Sequence, residues 1–215
     1  SKMKNKIAFA VVALMLTTFA CALPFGDGAL LKDDFSKPDS GWSSFSTENA
    51  SAQYASGEYA IKVFRETWFS WGNAGERNLS NVHIEVTAKN FSKTDDVVFG
   101  IICAYQDKDH YYYLGIDWTG SYTIARLNGD TSDAEVFLTN NNRWARSDDI
   151  PKKAASYRLG ADCGNDTLTL YVDGKQIASA KDSTFAKGDV GLFVSTQKTK
   201  NVEVRFDDFV VTGLR

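Results

Sequence analysis

The stretch "QDKDHYYYLGIDW" (Gln106–Trp118) sets three consecutive tyrosines after a charged turn. Side chains alternate across an extended strand, so the three rings cannot share one environment. His110, Tyr112, Leu114, Ile116 and Trp118 fall on one face; Tyr111, Tyr113, Gly115 and Asp117 fall on the other. The first set is strongly apolar and is expected to face a core. The second then lies on the opposite surface of its sheet: two rings two residues apart, a glycine that leaves room, and a carboxylate that accepts hydrogen bonds. A pyranose ring suits such a surface, because its C–H edges pack on aromatic rings while its hydroxyls need acceptors. The competing expectation is that these tyrosines are ordinary strand residues covered by a loop. In the preceding run, "VVFGIICAY" (97–105), the same alternation turns Phe99, Ile101, Cys103 and Tyr105 inward and Val98, Gly100, Ile102 and Ala104 outward.

The period-two pattern recurs along the rest of the chain. Runs at 30–35, 57–64, 67–72, 82–91, 97–105, 111–118, 121–128, 135–139, 156–163, 167–174, 175–182, 189–196 and 202–213 read as strands. "Asp173-Gly174" separates two of them as a tight hairpin, because a type I′ turn needs positive φ. "Asn128-Gly129-Asp130" and "Thr119-Gly120" punctuate in the same way. No long amphipathic helix, repeat or internal linker follows the leader. A dozen short strands without helices predict two packed antiparallel sheets, an all-β sandwich or jelly roll.

Residues 1–22 read as a targeting segment. Lys2, Lys4 and Lys6 form a basic start, an uncharged apolar run extends from Ile7 to Leu16, and small residues follow. The apolar run is shorter than the ~20 residues of a membrane span. Two processing outcomes are open. "Ala20-Cys21-Ala22" fits a cut after Ala22. "Thr18-Phe19-Ala20-Cys21" is like a bacterial lipobox, although Thr18 stands where leucine is usual and Phe19 is bulky. The second is favoured, with Cys21 lipidated as a membrane anchor and residues 23–29 as a tether to a domain at 30–215. The protein is thus expected to be exported, held at a membrane or cell surface, or otherwise secreted.

The formal net charge of −3 argues against a nucleic-acid partner, which would need a basic stripe. Two distant histidines, His83 and His110, make a His-rich metal site unexpected. Apart from Cys21 the cysteines are Cys103 and Cys163, and an exported protein is expected to pair them. Such a bridge should stabilise by roughly 2–4 kcal/mol.

In chain order, "DDFSKPDSGW", "GEYAIKV", "GIICAYQDKDHYYYLGI", "LTLYVDGKQIA", "GDVGLFVST" and "VRFDDFVV" together resemble the concanavalin A-like jelly roll over about residues 30–213. The single-domain form in exported bacterial lipoproteins is the nearest likeness, related to laminin G-like, glucanase-like and 3-keto-disaccharide hydrolase domains. The resemblance implies one convex and one concave sheet, a concave face that often binds saccharides, and a disulfide matching Cys103 and Cys163.

Further candidates lie outside the tyrosine stretch. Trp68 and Trp71 have opposite parity, so at most one faces the core. Trp144, between Arg143 and Arg146, is expected either to cover a groove or to plug one end of the sandwich, whereas Trp42 is expected to pack. Asp33-Asp34-Phe35 and Asp207-Asp208-Phe209 open and close the domain. Asp33, Asp207 and Asp208 are candidate oxygen ligands for Ca²⁺, with solvated carboxylates as the preferred alternative and no other cofactor expected. The Glu-x-Asp-x-Glu pattern of the glucanase branch does not occur, and no nucleophile elbow is present. The expected function is therefore non-catalytic binding of a saccharide or other extracellular ligand by a monomer. A divergent glycoside hydrolase and a structural or adhesive domain are the alternatives.

Overall fold

The computed structural model describes residues 28–214; the leader, Cys21 and the tether as far as Asp27 lie outside the described residues. Among the described residues sixteen strands follow one another without a helix. The first eight are β1 (Ala29–Asp33), β2 (Phe45–Ser46), β3 (Ala50–Ala55), β4 (Glu58–Val63), β5 (Trp68–Asn73), β6 (Val82–Asn90), β7 (Val97–Asp107) and β8 (His110–Asp117). The second eight are β9 (Ser121–Asn128), β10 (Glu135–Phe137), β11 (Ala145–Arg146), β12 (Tyr157–Gly164), β13 (Thr167–Val172), β14 (Lys175–Lys181), β15 (Asp189–Thr196) and β16 (Val202–Gly213).

The strands form two antiparallel sheets. One has the order β14-β13-β12-β6-β16-β4-β3-β2, with β1 also paired to β16. The other has the order β10-β9-β8-β7-β15-β5, with β11 also paired to β9. The main core lies between them: Phe99, Ile101, Leu114, Ile116, Leu192 and Val194 of the second sheet meet Ile84, Val86, Ala161, Leu170, Val204 and Phe206 of the first. As expected, Tyr112, Leu114, Ile116 and Trp118 belong to this core. Cys103 on β7 and Cys163 on β12 are bonded, so the disulfide staples one sheet to the other. Trp42 packs as expected, against Phe35 (5.1 Å), Tyr59 (5.0 Å) and Phe209 (4.8 Å) between ring centroids.

Local chemistry explains most element ends. Asp173 (φ 51°) and Gly174 (φ 77°) supply the two positive φ angles of the β13–β14 hairpin. The β7–β8 hairpin closes on Asp107, whose Oδ1 accepts from the Asp109 amide at 2.8 Å and meets His110 Nδ1 at 2.7 Å. β3 is not expected from the sequence because four residues of "ASAQYA" are alanine or serine and no apolar alternation marks it. It is a strand because β4 pairs with it, Ala52 opposite Ile61.

One irregularity alters the predicted faces. Ala104 adopts a left-handed φ of 48°, and the β7–β8 register shifts between Cys103 and Asp107. This bulge reverses the alternation beyond it. Ala104, expected to point outward, packs into the main core, and Tyr105, expected in the core, turns to the opposite face.

Candidate functional site: an aromatic groove on the seven-stranded sheet

The outer faces of the two sheets differ in chemistry. On the nine-stranded sheet, long polar side chains pair across strands in water: Lys62 with Glu203 (3.3 Å), Lys89 with Glu58 (2.5 Å) and Arg158 with Glu85 (3.0 Å). On the seven-stranded sheet, a second apolar cluster stands apart from the main core. Its buried members are Val98, Ile102, Tyr111, Tyr113, Ala125 and Phe193. Half-buried Phe69, Trp71, Tyr105, Leu127, Phe137 and Trp144 pack around them.

The sequence reading placed Tyr111 and Tyr113 on this face, and there they are, but as its floor. Their exposures are only 4% and 5%. Tyr111 touches Phe69 (6.0 Å), Trp71 (6.2 Å) and Tyr105 (5.8 Å), and the accessible ring surface belongs to those neighbours. Phe193 stacks on Phe69 at 4.8 Å and 10°. Gly115 does leave room, but for Phe193: a Cβ on Gly115 would lie 2.6 Å from Phe193 Cζ.

Trp144 divides the face into two lobes. The loop that carries it begins with three residues of positive φ, Asn140, Asn141 and Asn142. Asn140 Nδ2 donates to the Trp144 carbonyl at 2.8 Å, and the Phe137 amide donates to Asn142 Oδ1 at 2.8 Å. The indole sits 6.1 Å from Phe137 and lines both lobes, so it covers the groove and does not plug the end of the sandwich. An aromatic lobe of about 130 Å³ is bounded by Phe69, Tyr113, Glu135, Phe137, Trp144 and Phe193. A more polar lobe of about 190 Å³ is bounded by Asp95, Asp96, Asp117, Ser121, Trp144 and Gln197.

Each groove carboxylate is held by donors of the protein. Tyr113 Oη donates to Glu135 Oε1 at 2.6 Å; burial raises the tyrosine pKa, and the Glu135 charge adds to the effect. Asp117 Oδ1 accepts from Thr119 N (2.8 Å), Thr119 Oγ1 (2.8 Å) and Ser121 N (3.0 Å). Asp95 accepts from Trp118 Nε1 at 2.6 Å and pairs with Lys153 at 3.1 Å, and the lysine holds its carboxyl below the ordinary range. Asp96 accepts from the amides of Lys198 and, at 2.8 Å, Thr199.

The other candidates are not brought to this groove. Trp71 packs on the aromatic cluster but lines neither lobe, and Trp68 lies on the other side of β5, against the main core, with Arg65 5.1 Å over its ring. Asp33 is buried and accepts from Phe35 N (2.8 Å) and Ser40 Oγ (2.5 Å). Asp207 caps the Asp208 amide at 2.8 Å, and Asp208 sits at a β16 bulge with φ 51°. Among the described residues no group of three His, Cys, Asp or Glu side chains is placed to hold a metal, so these three do not form such a set.

Phe69, Tyr105, Phe137, Phe193, Glu135, Asp95, Asp96 and Gln197 were not anticipated as site residues. A signal existed for two. In "TWFSWG", Phe69 shares its face with Trp71. In "DVGLFVST", both faces are apolar, Phe193 on one and Val190, Leu192 and Val194 on the other. A strand apolar on both faces needs two clusters to bury it.

No family profile matches the chain, and no curated protein matches it in sequence. Solved structures do match. The carbohydrate-binding module CBM66 of Bacillus subtilis superposes with a TM-score of 0.61 at 14% identity, covering 81% of this chain and 96% of that one. The GH16 protein of a Bacteroides ovatus mixed linkage glucan PUL, in complex with the G4G4G3G product, gives 0.62 at 12%, covering 85% and 99%. A galectin-like protein of unknown function from Bacillus subtilis gives 0.62 at 10%, covering 87% and 98%. Likeness at these identities speaks to the fold, and the fold of this chain is the concanavalin A-like jelly roll.

Proposed function

We propose that the domain binds a saccharide in the two-lobed groove of the seven-stranded sheet, without catalysis, as part of an exported protein anchored through Cys21. The observation that carries this reading is the second aromatic cluster, opened by a groove and crossed by Trp144. Rings supply flat apolar surface for C–H edges, while Glu135, Asp117, Ser121 and Gln197 supply polar partners for hydroxyls. Both lobes are smaller than the ~300–1,000 Å³ of a drug-sized pocket, so each suits a single ring and the ligand would span Trp144. Similar folds include a carbohydrate-binding module and a GH16 protein with a bound glucan product, which supports the same reading.

The arrangement of carboxylates favours binding over hydrolysis. A glycosidase needs a carboxylic acid kept protonated opposite a second carboxylate. Here Asp95 is held ionised by Lys153, and Glu135, Asp117 and Asp96 are each fixed by internal donors. A glycan array with wild type and Trp144→Ala tests the reading. Saccharide signals that Trp144→Ala abolishes support it. An array without signal contradicts it, and release of shortened products replaces it with the hydrolase. For the anchor, the N-terminal mass of the membrane fraction decides: a diacylated Cys21 supports it, and an unmodified Leu23 overturns it.

A further inference from the structure

The charge pattern of the groove narrows the ligand class, and this inference rests on the saccharide reading above. The titratable groups lining the two lobes, tyrosine aside, are all carboxylates: Glu135 in the aromatic lobe, and Asp95, Asp96 and Asp117 in the other. Among the described residues no lysine, arginine or histidine lines either lobe. Cations stand at the rim. Lys153 pairs with Asp95 at 3.1 Å, and Arg146 donates to the Thr119 carbonyl at 3.1 Å, beside the turn that Asp117 holds. The internal bonds of Asp117 all fall on Oδ1, and that of Glu135 falls on Oε1, so each keeps a second oxygen for a ligand donor.

A feature besides the carboxylates points the same way. Trp144 lines both lobes and Phe137 lies 6.1 Å from it, and ring faces attract cations through their quadrupole.

We infer that the groove selects saccharides that carry a free amino group, an amino-sugar ring placing its ammonium between Trp144 and Asp117, and that it excludes acidic saccharides. A uronate or sulfate in the same position would meet like charges with no lining cation to offset them. An N-acetylated ring keeps the shape but loses the charge.

Calorimetry with four oligosaccharides of equal length tests this: a glucosamine oligomer with its amines protonated, its N-acetylated form, a neutral glucose oligomer and a galacturonate oligomer. The glucosamine oligomer should bind about tenfold tighter than the N-acetylated one, a factor that corresponds to 1.4 kcal/mol. The advantage should shrink with added salt. Asp117→Asn should remove it, because asparagine keeps one acceptor oxygen for the turn but loses the charge and puts an amide donor where the free carboxylate oxygen stood. Equal binding of the amino and N-acetylated forms, or tightest binding of the galacturonate, overturns the inference and leaves the saccharide reading standing. Binding of none of the four overturns both.

Discussion

Opening the Cys103–Cys163 bridge should destabilise the domain by an amount the chain connectivity sets. The two residues are 60 apart in sequence, and closing a loop of that length removes about 4 kcal/mol of conformational freedom from the unfolded chain at 25 °C. In a domain of this size each kcal/mol corresponds to about 2–4 °C, so the midpoint of thermal unfolding should fall by about 8–16 °C. The bridge also joins β7 to β12 one residue before the Ala104 bulge that turns Tyr105 towards the second aromatic cluster. Its loss should therefore loosen Tyr105 as well as lower stability. Calorimetric unfolding should compare the oxidised protein, the Cys103→Ala/Cys163→Ala variant and the reduced wild type. The reduced sample separates the lost bond from the lost volume of two buried sulfurs. A fall of less than about 4 °C in both altered samples would show that the bridge is not a main source of stability, and an intact mass that does not rise by two hydrogens on reduction would show that it is not formed.

Other perturbations have equally definite expectations. His83 lies between Glu85 (3.4 Å) and Asp162 (2.6 Å); its hydrogen bond to Glu85, followed by that to Asp162, raises its pKa, while Glu85 is lowered to about 2. A raised histidine stabilises fully below its unfolded pKa of ~6.5 and loses that contribution as pH rises through the folded value; a depressed glutamate stabilises above its unfolded pKa of ~4.3 and loses it as pH falls towards about 2. This cluster should contribute most between those two unfolded values, and urea titrations across pH should show His83→Gln flattening the alkaline side. Gly115→Ala drives a methyl group to 2.6 Å from Phe193 Cζ, so it should cost about 1–3 kcal/mol and displace that ring, visible as shifted Phe193 NMR signals. Tyr113→Phe deletes a buried phenol donating to Glu135 and should cost about 1.5–3 kcal/mol by urea unfolding, most of which a Glu135→Gln background should remove.

The sandwich was legible because most of its strands alternate cleanly. In "HYYYLGIDW" the apolar set at 112, 114, 116 and 118 could only be a core face, and the chain placed it there. The Asp173-Gly174 turn carried its own backbone requirement. The groove was legible only in part. Tyr111 and Tyr113 were assigned to the right face, but alternation says which way a ring points, not how many neighbours cover it. Tyr105 was assigned inward because nothing in "CAYQ" marks a bulge: the left-handed residue is an alanine, where glycine or asparagine would have been the signal. Trp144 lies in a loop whose three asparagines do favour positive φ, yet their pattern does not reveal which sheet face the loop crosses.

In the proposed function the seven-stranded sheet holds its ligand against Trp144. Calorimetric titration of the strongest array ligand into wild type, Trp144→Ala and Phe91→Ala tests it, Phe91 being a 54% exposed ring that lines neither lobe and lies under Arg205 at 3.9 Å. A central aromatic contact is worth about 2 kcal/mol or more. Trp144→Ala should therefore weaken binding about thirtyfold or more, with Phe91→Ala indistinguishable from wild type. Equal affinity in wild type and Trp144→Ala would contradict the account.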